Sequence, residues 1–222
     1  MEDDNPFNID QFELLEMVGK GQFGEVYKVK EKETDQVFAA KISLLNIDEE
    51  SKQSAIMKDI KREIDISSKV NHPAIVRFVG FSPYDFDGCF NAVLITEFLS
   101  KGSLNQLIEA ERKGCSHPKW NDTRKLITLY GIASAMPYLH SHKILHRDLK
   151  PDNILMDDEL YPKIADFGLS KIMHQNQESI SANSATGFKG TILYSSPEIL
   201  FDCDYTEAGD VYAYAMISYE II

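Results

Sequence analysis

His146-Arg147-Asp148-Leu149-Lys150-Pro151-Asp152-Asn153, answered farther along by Asp166-Phe167-Gly168, is the stretch on which the reading turns. It sets a carboxylate (Asp148), an amide (Asn153) and a second carboxylate (Asp166) at spacings suited to a metal-bound nucleotide triphosphate whose terminal phosphate is presented to a hydroxyl. Asp148 follows a helical pattern, in a loop that also carries Asn153. Asp166 opens a second loop after the strand-like Pro162-Lys163-Ile164-Ala165. Two carboxylates and an amide meeting in a small volume would repel without a cation, and hard oxygen donors select Mg²⁺, with Mn²⁺ able to substitute. Asn153 and Asp166 are the expected metal ligands. Asp148 is expected to accept or orient the proton of the incoming hydroxyl, and Lys150 to balance charge on the migrating phosphoryl group. Singly, each residue has an ordinary reading, such as an aspartate capping a turn; the spaced set carries the argument.

Upstream, Gly19-Lys20-Gly21-Gln22-Phe23-Gly24 is a Gly-x-Gly-x-x-Gly run, weak evidence alone because several nucleotide folds contain it. A dinucleotide fingerprint would run on into a helix. Here Glu25-Val26-Tyr27-Lys28-Val29-Lys30 alternates like a strand, and no Gly-Lys-Ser/Thr ending makes a P-loop. The run therefore reads as a hairpin whose backbone lies over phosphates. Lys41 closes the apolar run Val37-Phe38-Ala39-Ala40 and needs an anion to offset its desolvation, although an isolated lysine would more often snorkel to water. Glu63, on a predicted helix, is its expected partner, and the pair would hold the α- and β-phosphates.

Around these motifs the pattern divides. Phe12 to Lys41 reads as a meander of three β-like runs, residues 49–70 as one amphipathic helix with Ile56, Ile60, Ile64 and Ser67 on a face, and Ile75–Phe81 and Ala92–Phe98 as two further strands. A polar Ser100-Lys101-Gly102-Ser103 suggests a hinge. Beyond it Leu104–Arg112 and Asp122–His140 read as helices, the second capped by Asp122, burying positions 126, 129, 130, 133 and 136, and kinked or ended by Pro137.

Composition narrows the classes. The chain has 222 residues, 43% of them hydrophobic, and a formal charge of −12, enough for a globular core and poorly suited to nucleic acid. The acidic clusters read as solvated loops. Three cysteines, Cys89, Cys115 and Cys203, form no Cys-x-x-Cys pair, which fits a reducing compartment. Met1–Asp10 is acidic where a secretory leader opens basic, and no apolar run approaches the roughly 18 residues of a membrane span. We expect a soluble, cytoplasmic protein without a membrane segment.

Taken together, these residues resemble a eukaryotic protein kinase catalytic domain over about Phe12 to Ile222. The resemblance implies an α+β, bilobal fold: a small β-rich N-lobe (12–96) with one regulatory helix, a hinge (97–102) and a mainly helical C-lobe (103–222), after an N-terminal lead (1–11). It implies ATP with Mg²⁺ as nucleotide and cofactor, and a protein substrate. It further implies that Gly19, Lys20, Gly21, Gln22, Phe23 and Gly24 cover the phosphates, that Val26, Ala39 and Leu155 sandwich adenine, that Thr96 is the gatekeeper, and that Glu97 to Leu99 offer backbone contacts to adenine. His146, Phe167, Ser67 and Phe78 match a stacked regulatory column, in which Ser67 is small and polar where the family usually has an apolar residue.

Lys150, with Gly190-Thr191 ahead of Ser196-Pro197-Glu198, is more similar to serine/threonine kinases than to tyrosine kinases. Asp210-Val211-Tyr212 and Leu169-Ser170-Lys171 resemble the tyrosine-kinase-like group. Arg147 before Asp148 implies an activation loop ordered by phosphorylation, at Thr186 first among Ser179, Ser181, Ser184 and Thr186. Kinases of this kind continue past the helix that begins near Asp210, adding helices that cover it and an arginine for Glu198, so the C-lobe is expected to lack its last helices and to leave an apolar helix uncovered. Two function classes follow: an active kinase, or a shortened kinase-like module that binds without catalysis.

Overall fold

The early alternation of apolar and polar residues folds into a five-stranded antiparallel sheet. The computed structural model describes residues 7–21, 24–43, 50–173, 192–200 and 204–222. β1 (Phe12–Gly21), β2 (Gly24–Glu31), β3 (Val37–Ser43), β4 (Phe78–Ser82) and β5 (Ala92–Glu97) take the order β1-β2-β3-β5-β4. On β3 Phe38, Ala40 and Ile42 are buried while Ala39 and Lys41 are only part-buried, the period-two pattern of a pleated strand. Phe12, Val29, Phe38, Ala40, Ile42, Val93 and Ile95 form one core cluster. Helix α1 (Glu50–Ser67) belongs to the same compact unit, which comprises Met1–Lys69 and Arg77–Phe98.

The second unit, Val70–Val76 with Leu99–Ile222, is mainly helical. It holds α2 (Leu104–Arg112), α3 (Asp122–Ser141), the short strands β6 (Ile144–Leu145), β7 (Ile154–Met156), β8 (Pro162–Ile164) and β9 (Lys171–Ile172), then α4 (Pro197–Leu200) and α5 (Glu207–Ile221). β7 pairs with β8, and β6 with β9, both antiparallel. α2 starts at a capping box: Ser103 Oγ accepts from the Gln106 N–H while the Gln106 side chain accepts from the Ser103 N–H.

Several expectations need correction. The helix expected over 49–70 ends at Ser67. The strand expected from Ile75 starts at Phe78, because Ile75 and Val76 are used by the other unit: Val76 N–H donates to Ile164 O at 2.9 Å and Ile164 N–H to Ala74 O at 2.8 Å. Asn121, not Asp122, caps α3, its side chain accepting from Arg124 N–H at 3.1 Å; Asp122 instead lies in the first turn, favoured by the helix dipole. Two positions of the face expected to be buried on α3 are turned outward, Leu126 and Tyr130 being 66% and 77% exposed. Met136 is buried as expected, and Thr128, Ile132, Ala135 and Leu139 join it on the inward face. A helix apolar on most sides gives no single stripe to read, so tertiary packing decides. Pro137 does not end the helix, which runs on to Ser141.

Candidate active site

In the sheet unit, β1 and β2 close on each other at the Gly21–Gly24 pair. Gly24 has φ +139°, and a methyl group there would fall 2.0 Å from Ile42 O, so only glycine fits the turn. Gly19 and Lys20 lie on β1, and Lys20 pairs across the hairpin with Glu25 at 2.9 Å. Gln22 and Phe23, the tip of the glycine run, lie outside the described residues. Val26 on β2 is opposite Lys41 on β3; Ala39 is opposite Thr96 on β5; Phe78 on β4 also faces Thr96. Lys41 Nζ reaches Glu63 Oε1 on α1 at 2.6 Å, with side chains 20% and 10% exposed. Glu97 is tied to Arg77 twice, its N–H donating to Arg77 O and its carboxylate accepting from Arg77 N–H at 2.7 Å. Ser67 is buried at the end of α1.

In the helical unit, the β7–β8 hairpin gathers the oxygen donors. Asn153 immediately precedes β7, and Asp166 follows β8 by one residue beyond Ala165; Ile154 pairs with Ile164, and the Ala165 N–H donates to Asn153 O at 2.8 Å. Both groups therefore sit at the same end of the hairpin. Asn153 Nδ2 donates to Asp148 O at 2.8 Å and to Asp148 Oδ2 at 2.9 Å, and Lys150 Nζ lies 2.8 Å from the same Oδ2. Asp148 and Asn153 are buried. With its Nδ2 turned to Asp148, Asn153 presents its amide oxygen, and together with the Asp166 carboxylate this is a hard-oxygen donor set suited to Mg²⁺. Asp166 takes a left-handed backbone, φ 63°, with Oδ1 accepting from Gly168 N–H at 3.3 Å. Leu155 lies on β7, Leu99 at the start of the long segment of this unit. The His146 ring packs 5.4 Å from the Phe167 ring and its Nε2 donates to Ala165 O at 3.1 Å. The four activation-loop hydroxyls, Ser179, Ser181, Ser184 and Thr186, and the pair Gly190-Thr191 lie outside the described residues.

The residue whose part the sequence did not show is Asp210. Buried in the first turn of α5, its carboxylate accepts from His146 N–H and Arg147 N–H, each at 2.9 Å, and from Tyr205 OH at 2.8 Å, and it meets His140 Nε2 at 3.0 Å. Burial alone would raise its pKa, but the His140 hydrogen bond, the positive field of His146 and the two backbone N–H donors outweigh that and hold it below the ordinary carboxylate value. Tyr205 is pushed well above the usual phenol value by burial and by the Asp210 charge. Ser170 Oγ ties the same loop from the other side, donating to His146 O at 3.0 Å. In the sequence Asp210 stood out only as part of Asp210-Val211-Tyr212, at the opening turn of an apolar helix, which does not say what its carboxylate reaches.

Comparison with known proteins agrees with this arrangement. The model of the protein kinase domain family matches residues 12–222. The chain is 34% identical over 214 residues to serine/threonine-protein kinase AtPK1/AtPK6 of Arabidopsis thaliana, covering 96% of this chain and 42% of the relative. It is 31% identical over 212 residues to serine/threonine-protein kinase fused of Drosophila melanogaster, covering 96% of this chain and 24% of that one. It is 31% identical over 215 residues to Aurora kinase of Saccharomyces cerevisiae, covering 97% and 53%. The chain thus spans between about a quarter and about half the length of these curated relatives. A family match running from the first strand of the sheet to the last helix, over a loop in which Asp148, Lys150 and Asn153 interlock, identifies the chain as a member of the protein kinase domain family.

Proposed function

We propose that this chain is an ATP-dependent protein kinase that transfers the γ-phosphate to serine and threonine hydroxyls of protein substrates in signalling. The observation that carries the reading is the locked group Asp148–Asn153–Lys150, with Asp166 at the same hairpin end. Asp148, its Oδ2 held by an amide and an ammonium, orients the acceptor hydroxyl and takes its proton. Lys150 offsets negative charge on the transferring group. Mg²⁺, which Asn153 and Asp166 would hold, supplies charge neutralisation to the phosphates. Lys41, steadied by Glu63, binds the α- and β-phosphates. By the family resemblance, Gly19 to Gly24 would cover the phosphates, Val26, Ala39 and Leu155 would flank adenine, Thr96 would hold the gatekeeper position, and Glu97 to Leu99 would offer adenine backbone groups.

The printed names of the relatives support serine and threonine over tyrosine as acceptors, as does Lys150 two residues after Asp148. The finer placement in the tyrosine-kinase-like group rests on Asp210-Val211-Tyr212 and Leu169-Ser170-Lys171 alone; the named relatives lend it no support. Phosphorylation at Thr186, paired with Arg147, would switch the activity. Cys89 and Cys115 are exposed free thiols, which suits a cytoplasmic setting. Among the described residues no helix is long and apolar enough to cross a membrane.

The test is transfer of labelled γ-phosphate from Mg²⁺-ATP to a peptide mixture offering serine, threonine and tyrosine. Label on serine and threonine is expected, with Asp148→Asn lowering the rate roughly 100- to 10,000-fold. Asp166→Asn and Lys41→Met should abolish transfer with the circular dichroism unchanged. Full activity in these variants would refute the assigned roles, and label confined to tyrosine would refute the acceptor class.

A further inference from the structure

The face of the sheet opposite to Lys41 carries a feature that the chemistry above does not use. Ahead of β1, Phe7 and Ile9 pack onto the core cluster of Phe12, Phe38, Ala40, Ile42, Val93 and Ile95. The Phe7 ring stacks on Phe12 at 5.7 Å, and Phe12 meets Phe38 edge-on at 5.6 Å. Phe7 also lies directly on Gly80 of β4, so closely that a methyl group on Gly80 would fall 2.0 Å from its Cδ2. Gly80 is paired with Ile95 on β5, and Ile95 with Ala40 on β3. Gly80, Ile95 and Ala40 are thus one cross-strand row. Lys41 is the next residue on β3 and points to the opposite face, where Glu63 receives it.

We propose that Phe7 is a positioning residue for Lys41: seated on Gly80, it clamps the face of the sheet opposite to Lys41 and, through Ile95 and Ala40, fixes the strand from which Lys41 reaches Glu63 and the nucleotide phosphates. The proposal rests on the nucleotide-binding role given to Lys41 above. The physical reason is packing. An interior at crystal-like density passes a displacement from one side of a strand to the other, because side chains on both faces share one backbone. An aromatic ring supplies a large contact area with few torsions to freeze. The missing side chain at Gly80 leaves the space for that ring, so the seat and its occupant are two halves of one feature.

The experiment combines two mutant cycles on the whole chain, read by thermal unfolding and by the dissociation constant of Mg²⁺-ATP measured well below the melting temperature. In the first, Gly80→Ala should lower the melting temperature by several degrees in the Phe7 chain and far less in a Phe7→Ala chain, where the ring it strikes is gone. In the second, Phe7→Ala should weaken Mg²⁺-ATP binding by about three- to tenfold, Phe7→Leu should recover part of that loss, and the Phe7→Ala effect should vanish in a Lys41→Met background. Additive effects of Gly80→Ala and Phe7→Ala would overturn the seat. An unchanged dissociation constant in Phe7→Ala, or an effect of equal size with Lys41 removed, would overturn the positioning role even if the seat stands. A wild-type chain that binds Mg²⁺-ATP yet transfers no phosphate would sink the kinase reading while leaving these cycles decisive.

Discussion

Arg147 and Asp166 share an uncommon backbone, φ 69° and 63°, a region where an ordinary side chain crowds the chain. For Arg147 the offset is visible: Asp210 takes hydrogen bonds from its N–H and from that of His146 at 2.9 Å, so the turn ahead of Asp148 is held by a buried carboxylate. Because the native pKa of Asp210 is lowered, its contribution to stability is complete above about pH 4, its unfolded value, and is lost as the pH falls through the lower native value. Asp210→Asn should cost about 2 kcal/mol at neutral pH and flatten the acid limb of the stability curve. Urea unfolding at pH 7 and pH 3 checks both. At this scale the nearness of Asp148 to Asn153, and of both to the hairpin end that carries Asp166, was legible because each is a chemical group at a fixed spacing. Asp210 was not, because its partners are backbone N–H groups, and no side-chain pattern announces which backbone a buried carboxylate will meet.

Elements were legible where one face alone is apolar or where a cap stands in the sequence. α2 has its expected range, Leu104–Arg112, and the structure adds a Ser103–Gln106 capping box that closes its first turn. α3 kept its expected range but only part of its expected inward face, because it offers apolar residues all round and the inward set was chosen by its neighbours. The run Ile75-Val76 read as strand, but Val76 N–H donates to Ile164 O of β8 and Ile75 N–H to His72 O, so the run bridges to the helical unit's β8. That segment carries its own pH signature. His72 Nδ1 accepts from Ala74 N–H at 3.1 Å, its ring lies 5.2 Å from that of Tyr138, and Tyr138 OH receives Asn71 N–H at 2.8 Å. Burial lowers the His72 pKa. The native state therefore binds the proton less readily than the unfolded chain, and stability should fall as the pH drops below about 6.5 toward the lower native value. His72→Gln should remove that slope between pH 7 and pH 5, as followed by thermal midpoints; an unchanged slope would exclude His72 as its source.

On the scale of the molecule, two units were legible from the change of period, from alternating strands before the hinge to helical spacing after it. What the sequence concealed is that Val70–Val76, lying between α1 and β4, packs with the helical unit. Its backbone exchanges hydrogen bonds with Ile164, and its Asn71 N–H is held by Tyr138. A polypeptide severed after Phe98 would consequently not come apart into a sheet half and a helical half. The earlier fragment would carry its own docking peptide for the later one, and the two should co-elute in size-exclusion chromatography, whereas Tyr138→Phe together with Ile75→Asp should let them separate. Such a nicked pair would behave as a complementing split protein, its halves reunited by seven residues borrowed from across the break.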